Sequence, residues 1–219
     1  MRDNIRLIIK MFSSYVGLPE PIVEFGSLQV PEQIGYADLR PFFPGKKYIG
    51  CDMQAGAGVD RLENLHKVTF PGNSVGTVIT MDTLEHVENP FLALDEIFRI
   101  LTPGGYLIMS SIMNFPIHNY PSDYWRFTPA SFYLLMKKFT VRKVFSQGDR
   151  SFPHTVVGVA MKGKNENLLR LFINSMQNIP GQPITFEPEN VTGRPGYRTA
   201  ARPGGKSLRF KGKTYKFLP

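Results

Sequence analysis

The stretch from residue 21 to residue 52 constrains the fold of this chain more than any other. It holds two short apolar segments, which end at Gly26-Ser27 and at Asp52. Apolar segments that stop at a glycine or a polar residue are typical of buried parallel strands. A glycine after such a strand lets the backbone approach a ligand, and a carboxylate ending the next strand can accept both hydroxyls of a ribose. The stretch therefore predicts an α/β fold with a ligand site at its strand ends.

The chain continues with alternating strand-like and helix-like segments. After strands at 21–26 and 47–52, we predict strands at 74–81, 106–110, 139–146 and 154–161. The predicted helices are 2–16, a short one within 31–40, one that starts at Pro90 and ends before Pro103, 129–138 and 165–176. This alternation indicates an open, mostly parallel sheet, whose last two strands form a hairpin. Ligands in such sheets bind beyond the carboxyl ends of the strands, where Gly26, Asp52 and Asp82 should lie.

Composition limits the compartment and the domain count. The 219 residues favour one main domain, and the single Cys51 excludes a disulfide framework and a CxxC zinc site. We see no apolar segment of membrane-spanning length and no signal peptide, so we expect a cytoplasmic protein, with peripheral membrane contact as the alternative. We divide the chain into an amphipathic helix (1–19), a central domain (20–162), a helix and loop (163–193) and a basic tail (194–219).

The positive charge is confined to the tail. Residues 1–160 contain 15 basic and 15 acidic residues, whereas 194–219 contain eight basic residues and no acidic one, out of a net charge of +8. Such a tail is a solvated end or a clamp for an anionic partner, and both interpretations stay open. The anionic partner could be a phosphorylated sugar, a lipid head group or RNA. The apolar faces of helices 2–16 and 165–176 cover the sheet or form a homodimer interface.

Five segments together resemble a known family. They are VEFGS at 23–27, YIGCD at 48–52, ENLHKVTF at 63–70, TMDTLEHVENP at 80–90 and EIFRILTPGG at 96–105. In this order, they resemble class I S-adenosylmethionine-dependent methyltransferases of the small-molecule type, which carry Leu-Glu-His after the fourth strand. The resemblance covers residues 20–160. It implies a Rossmann-like sheet of seven strands, mostly parallel, with helices on both faces and the last strand antiparallel.

The resemblance also implies a cofactor site for S-adenosylmethionine. Glu24, Gly26 and Ser27 would hold its methionine end, and Asp52 would bind the ribose. Met53 would lie against the adenine, Asn64 and Leu65 would meet the adenine edge, and Met81 to Thr83 would lie under the sulfonium. These further cofactor residues are Met53, Asn64, Leu65, Met81 and Thr83.

The chain departs from the family at three places. Leu28 and Gln29 stand where further glycines are usual, Asn64 replaces a usual aspartate, and Gly76 stands where an aspartate is common. The helix between the second and third strands is reduced to a loop at 53–60. These departures motivate an alternative in which the fold is kept as a non-catalytic binding or scaffold module.

Methyl transfer to a hydroxyl needs a group that helps the hydroxyl to lose its proton. The candidates are His118, which we favour, with His86, Tyr124, Asp123 and Tyr120; Asp123 and Arg126 can also simply pair with each other. The four histidines include no pair at i, i+4 spacing, so we expect no metal. The chain lacks the Asn/Asp-Pro-Pro-aromatic motif of amino methyltransferases that act on DNA bases. We therefore expect O-methylation of a small-molecule, glycan or lipid-linked acceptor, with an RNA methyltransferase that uses the tail as the alternative.

Overall fold

A computed structural model describes residues 1–118, 121–149 and 151–164, together with the backbone of three short strands near the C-terminus. Residues 1–187 and 188–219 form two separate compact units. The predicted helix at 165–176 and most of the basic tail lie outside the described residues. Within the tail, Leu208–Phe210 and Lys213–Tyr215 pair as an antiparallel two-stranded sheet.

The described residues of the first unit form three α-helices and eight strands. The helices are α1 (Asp3–Tyr15), α2 (Pro90–Ile100) and α3 (Pro129–Leu135). The first four strands are β1 (Ile22–Phe25), β2 (Tyr48–Asp52), β3 (Arg61–Leu62) and β4 (Val75–Met81). The other four are β5 (Leu101–Ile112), β6 (Val141–Gly148), β7 (Pro153–Met161) and β8 (Ile184–Phe186).

All eight strands form one sheet in the order β3-β2-β1-β4-β5-β7-β6-β8. The pairs from β3 to β5 are parallel, and β7 runs antiparallel to both of its neighbours. The predicted Rossmann-like sheet is therefore confirmed, with β8 added as an antiparallel edge strand. The chain reverses its direction of strand addition between β1 and β4, which is where open α/β sheets form their ligand crevice.

The core has two layers, one on each face of the sheet. Successive strand residues point to opposite faces, so Val78 and Ile79 of β4 belong to different layers. Helices α2 and α3 cover one face, and α1 covers the other. Four apolar side chains of α1 are fully buried against the sheet, namely Ile5, Ile8, Ile9 and Phe12. Helices on both faces were predicted, and the structure confirms them.

Helix starts agree with the predicted capping residues. The side chain of Asn89 accepts a hydrogen bond from the backbone N–H of Leu92, and Thr128 does the same for Ser131. Each cap is followed by a proline, whose missing N–H costs nothing in the first turn. In the described part of the chain, no helix combines the length and the apolar character needed to cross a bilayer.

Some predicted boundaries were wrong. Residues 31–40 form no α-helix but two single 3₁₀ turns, at Pro31–Gln33 and Arg40–Phe42. Strand β5 begins at Leu101 rather than at Tyr106, because Leu101 already pairs with Val75 before Pro103-Gly104-Gly105 interrupts the register. Helix α3 ends at Leu135, three residues earlier than predicted.

Candidate active site

One cavity of about 760 Å³ lies beyond the carboxyl ends of β1, β2 and β4. The structure brings all of the predicted cofactor residues together around it: Glu24, Gly26, Ser27, Asp52, Met53, Asn64, Leu65, Met81 and Thr83. Parallel strands end at the same edge of a sheet, so residues far apart in sequence meet there. The volume is within the range of cavities that bind small molecules and cofactors.

The turn after β1 forms a tight cradle at the floor of the cavity. Gly26 has φ +82°, and a Cβ built on it would lie 2.1 Å from Oγ1 of Thr83. No residue with a side chain fits there without displacing Thr83. The hydroxyl of the adjacent Ser27 is buried and has no hydrogen-bond partner among the described residues. A buried polar atom without a partner beside a ligand cavity indicates a place where a ligand group completes the bonding.

Glu24 is a buried carboxyl group in the same wall. Its side chain is 4% exposed, and its Oε2 accepts a hydrogen bond of 2.7 Å from the hydroxyl of Tyr48. Burial raises the pKa of Glu24 from 4.5 to about 7, since the charged form loses its water. A cationic group bound beside Glu24 would therefore favour the charged carboxylate form that burial disfavours. No pattern in the sequence predicts the contact between Tyr48 and Glu24.

Asp52 is oriented by the backbone of two neighbouring loops. Its Oδ2 accepts from the N–H of Leu28 at 3.3 Å, and its Oδ1 accepts from the N–H of Gln54 at 3.1 Å. These bonds hold the carboxylate at the strand end, where it lines the cavity. Leu28, which departs from the family pattern, thus contributes its backbone to the site.

Two of the other departures have structural explanations. Gln29 links two loops, because its side-chain oxygen accepts from the N–H of Gly35 at 2.6 Å and its own N–H donates to Ala57. A Cβ on Gly76 would lie 2.4 Å from the carbonyl oxygen of Pro19, so close backbone packing requires glycine there. The side chain of Met53, a predicted cofactor residue, lines the cavity and is 63% exposed, so a ligand can contact it.

A second group of polar side chains lines the same cavity. Glu85, His86 and His118, which we call the Glu85 cluster, each offer a ligand atom, and these atoms lie within 4.8 Å of one another. Glu85 is fully buried, and burial together with the charge of Asp82 raises its pKa to about 8. Its Oε2 accepts from Ser111 at 2.6 Å, whereas its Oε1 has no partner among the described residues.

The two histidine rings are held by neighbouring oxygens and by each other. Nδ1 of His86 lies 2.6 Å from the carbonyl oxygen of Ser122, and Nδ1 of His118 lies 3.2 Å from Oδ2 of Asp123. The rings meet edge to face, with their centroids 4.8 Å apart. Burial lowers the pKa of His86. Both rings therefore stand as oriented groups at the cavity wall.

The other two catalytic candidates occupy different environments. Asp123 does not line the cavity, because its side chain is 1% exposed and paired with Arg126. The hydrogen bond from Arg126 holds the pKa of Asp123 well below its usual range. The structure thus favours the pairing interpretation and gives Asp123 contact with His118 rather than with the cavity. Tyr124 is half-exposed and lines the cavity, whereas Tyr120 lies outside the described residues.

Sequence reasoning missed one charged pair at the site. Arg2 and Asp82 both line the cavity, and Nη2 of Arg2 lies 2.9 Å from both oxygens of Asp82. Ser110 also donates to Asp82 at 2.8 Å, and Arg2 donates to Thr155 at 2.6 Å. Asp82 follows β4 and was expected at this rim, but no spacing rule brings residue 2 to it.

The structure also bears on the lone cysteine. Cys51 is buried in β2, and burial raises its pKa to about 12. Its thiol is therefore protonated at neutral pH and is not a nucleophile.

Part of the chain is similar to a known family. Residues 44–109, less than half of the chain, match the methyltransferase-domain family. The matched residues include β2, β3, β4, α2 and most of β5, and Asp52, Met81 and Thr83 among them line the cavity.

A curated relative and two solved structures are similar to parts of this chain. The relative is an uncharacterized methyltransferase from Schizosaccharomyces pombe, 34% identical over 64 residues; the match covers 29% of this chain and spans only 23% of the relative's length. An S-adenosylmethionine-dependent methyltransferase from Thermotoga maritima superposes with a TM-score of 0.53 at 18% identity, over 71% of this chain and 92% of that one. The 1,6-didemethyltoxoflavin N1-methyltransferase of Burkholderia thailandensis, solved with 1,6-didemethyltoxoflavin and S-adenosylhomocysteine, gives 0.54 at 16% identity, over 74% and 79%. At these identities, the two structures establish the fold alone.

Proposed function

We propose that this chain is an S-adenosylmethionine-dependent methyltransferase that methylates a hydroxyl group of a small-molecule, glycan or lipid-linked acceptor. The observation that carries the proposal is the cavity itself. It is lined both by the predicted cofactor residues and by the Glu85 cluster. A methyltransferase needs this arrangement, because donor and acceptor must meet in one water-poor space.

The cofactor end fits S-adenosylmethionine by charge and by shape. Bound there, S-adenosylmethionine supplies an electrophilic methyl group on a sulfonium. Glu24 would bind its cationic amino group, Asp52 would accept from its ribose hydroxyls, and the Ser27 hydroxyl would gain the partner that it lacks among the described residues. The Thermotoga protein, which is an S-adenosylmethionine-dependent methyltransferase, and the Burkholderia enzyme, which was solved with S-adenosylhomocysteine, share the fold of this chain.

The acceptor end favours a hydroxyl nucleophile. A hydroxyl must lose its proton during transfer, and the Glu85 cluster can assist in two ways: as a histidine base, or as a set of ligands for a cation that acidifies the hydroxyl. The rings of Phe115 and Tyr124 line the same end of the cavity. Aromatic walls exclude water and stabilise a cationic donor.

The alternatives from the sequence have less support. An RNA methyltransferase would use the tail at 194–219, most of which lies outside the described residues. A non-catalytic module was motivated by the family departures, but Gly76 and Gln29 have packing and hydrogen-bonding roles that are independent of catalysis.

The test is calorimetric titration of the full chain with S-adenosylmethionine and S-adenosylhomocysteine. We expect micromolar binding, about −8 kcal/mol, that is lost in Asp52→Ala. The matched control is Asp95→Ala, which removes an exposed carboxylate of α2 that pairs with Lys138 away from the cavity. If the folded wild-type protein does not bind either ligand at millimolar concentration, the proposed function is wrong. If binding is found, release of S-adenosylhomocysteine is then measured with hydroxylated glycans, phosphorylated lipids and RNA as acceptors.

A further inference from the structure

The Glu85 cluster brings together three side chains that a divalent metal ion uses as ligands. The sequence analysis did not predict this metal-ligand cluster, because Glu85-His86 and His118 are far apart in the chain and show no metal-binding spacing. Two imidazoles and one carboxylate suit first-row transition metals better than Ca²⁺ or Mg²⁺, which prefer all-oxygen sites. The ligand atoms lie within 4.8 Å of one another. Metal bonds of about 2.0–2.2 Å put ligand atoms roughly 3–4 Å apart, so the cluster needs to close by about 1 Å.

The buried carboxylate is the first observation that indicates an ion. Glu85 is fully buried, and its Oε1 has no hydrogen-bond partner in the part of the chain that the structure describes. Its Oε2 is held by Ser111, which fixes the side chain so that the residue lines the cavity. A buried carboxylate oxygen without a partner is costly, and coordination to a cation removes that cost.

The orientation of the histidines is the second observation. In metal sites, a ligating histidine usually donates its other ring N–H to a carbonyl or a carboxylate, which fixes the ring and its tautomer. Here, Nδ1 of His86 lies 2.6 Å from the carbonyl oxygen of Ser122, and Nδ1 of His118 lies 3.2 Å from the carbonyl oxygen of Pro116 and equally far from Oδ2 of Asp123. With Nδ1–H donating, each neutral ring carries its lone pair on Nε2. Asp123 is itself fixed by Arg126, whose Nη2 lies 2.7 Å from its Oδ2.

We propose that Glu85, His86 and His118 bind a divalent transition-metal ion at the acceptor end of the cavity. Three protein ligands leave a coordination position open, as in catalytic rather than structural metal sites. The role of the ion rests on the proposed function: the acceptor hydroxyl takes the open position. The ion stabilises the deprotonated oxygen, so that the O–H proton leaves to solvent while the electron pair stays on oxygen. The oxidation state of the metal does not change.

The test uses the full chain freed of metal with a chelator. Zn²⁺ is titrated by calorimetry, and Co²⁺ binding is followed by its visible absorption. The variants are Glu85→Gln and His118→Gln, which keep the size of the side chains, and the control is His154→Gln, because His154 lies on β7 and does not line the cavity. Circular dichroism and thermal unfolding verify that each variant is folded.

We expect one Zn²⁺ per chain, bound at least about 100-fold more weakly by Glu85→Gln and by His118→Gln and equally well by His154→Gln. The Co²⁺ absorption should disappear with the same two variants. The proposal is overturned if the wild-type protein binds no stoichiometric metal, or if folded Glu85→Gln and His118→Gln proteins bind it as the wild type does. S-adenosylmethionine is titrated into the same proteins. Cofactor binding without metal binding refutes only this site, and metal binding without cofactor binding refutes only the methyltransferase proposal.

Discussion

Glu24 allows a quantitative test of the buried cofactor wall. The carboxyl group titrates near pH 4.5 when exposed in the unfolded chain, whereas burial raises its pKa to about 7 in the folded protein. Between these values the folded state holds a proton that the unfolded state has lost, so stability falls as pH rises. One pKa unit corresponds to about 1.4 kcal/mol. Between pH 5 and pH 8, Glu24 should therefore reduce the free energy of unfolding by about 2–3 kcal/mol.

The perturbation is Glu24→Gln, which keeps the shape and can still accept the hydrogen bond from Tyr48. Urea unfolding of wild type and variant is measured at pH 5, 6, 7 and 8. The wild type should lose stability relative to the variant across this range, and the control Glu32→Gln, at an exposed 3₁₀ turn, should follow the wild type. If Glu24→Gln and wild type show the same pH dependence, Glu24 is not a buried neutral acid and the reasoning fails.

Three further substitutions test the geometry of the fold and the site. Gly26→Ala should lower the free energy of unfolding by at least about 2 kcal/mol and abolish S-adenosylmethionine binding, because its Cβ would meet Thr83 in a left-handed conformation. If calorimetry shows that this variant binds the cofactor as the wild type does, the tight cradle at Gly26 is contradicted. Gly76→Ala should cost about 1–3 kcal/mol in urea unfolding through its contact with the Pro19 carbonyl, and an unchanged midpoint would show that the backbones are not in close contact. Asn89→Ala should cost about 1 kcal/mol in the same assay, since it removes the cap of α2, and Asn89→Asp should restore most of it.

The fold was predictable because its signals are local. Short apolar segments that end in glycine or aspartate marked β1, β2 and β4, and Asn89 and Thr128 marked two helix starts. The boundaries that failed depend on pairing between distant segments. Leu101 is part of β5 only because Val75 pairs with it, and no property of the 101–105 segment itself reveals this.

The cofactor half of the candidate site was predictable for the same reason. Gly26 follows β1 and Asp52 ends β2, so identifying these strands placed both residues at one edge of the sheet, whereas Thr83 was predicted from the family resemblance. What could not be predicted is how these residues are supported. Tyr48 of β2 donates a hydrogen bond to Glu24 of the adjacent β1, and Arg2, just before α1, pairs with Asp82. Both contacts depend on tertiary packing.

The Glu85 cluster depends on the loop between β5 and α3. This explains why the sequence analysis did not predict the cluster. The backbone N–H of Tyr124 donates to the carbonyl of Glu85 at 2.8 Å, and the indole N–H of Trp125 donates to the carbonyl of Val87 at 2.9 Å. These two bonds fasten the loop to the turn after β4 and bring His118 beside His86. The aromatic residues of this loop therefore do more than wall a pocket. They hold His118 beside His86, which places both side chains where the proposed acceptor chemistry needs them.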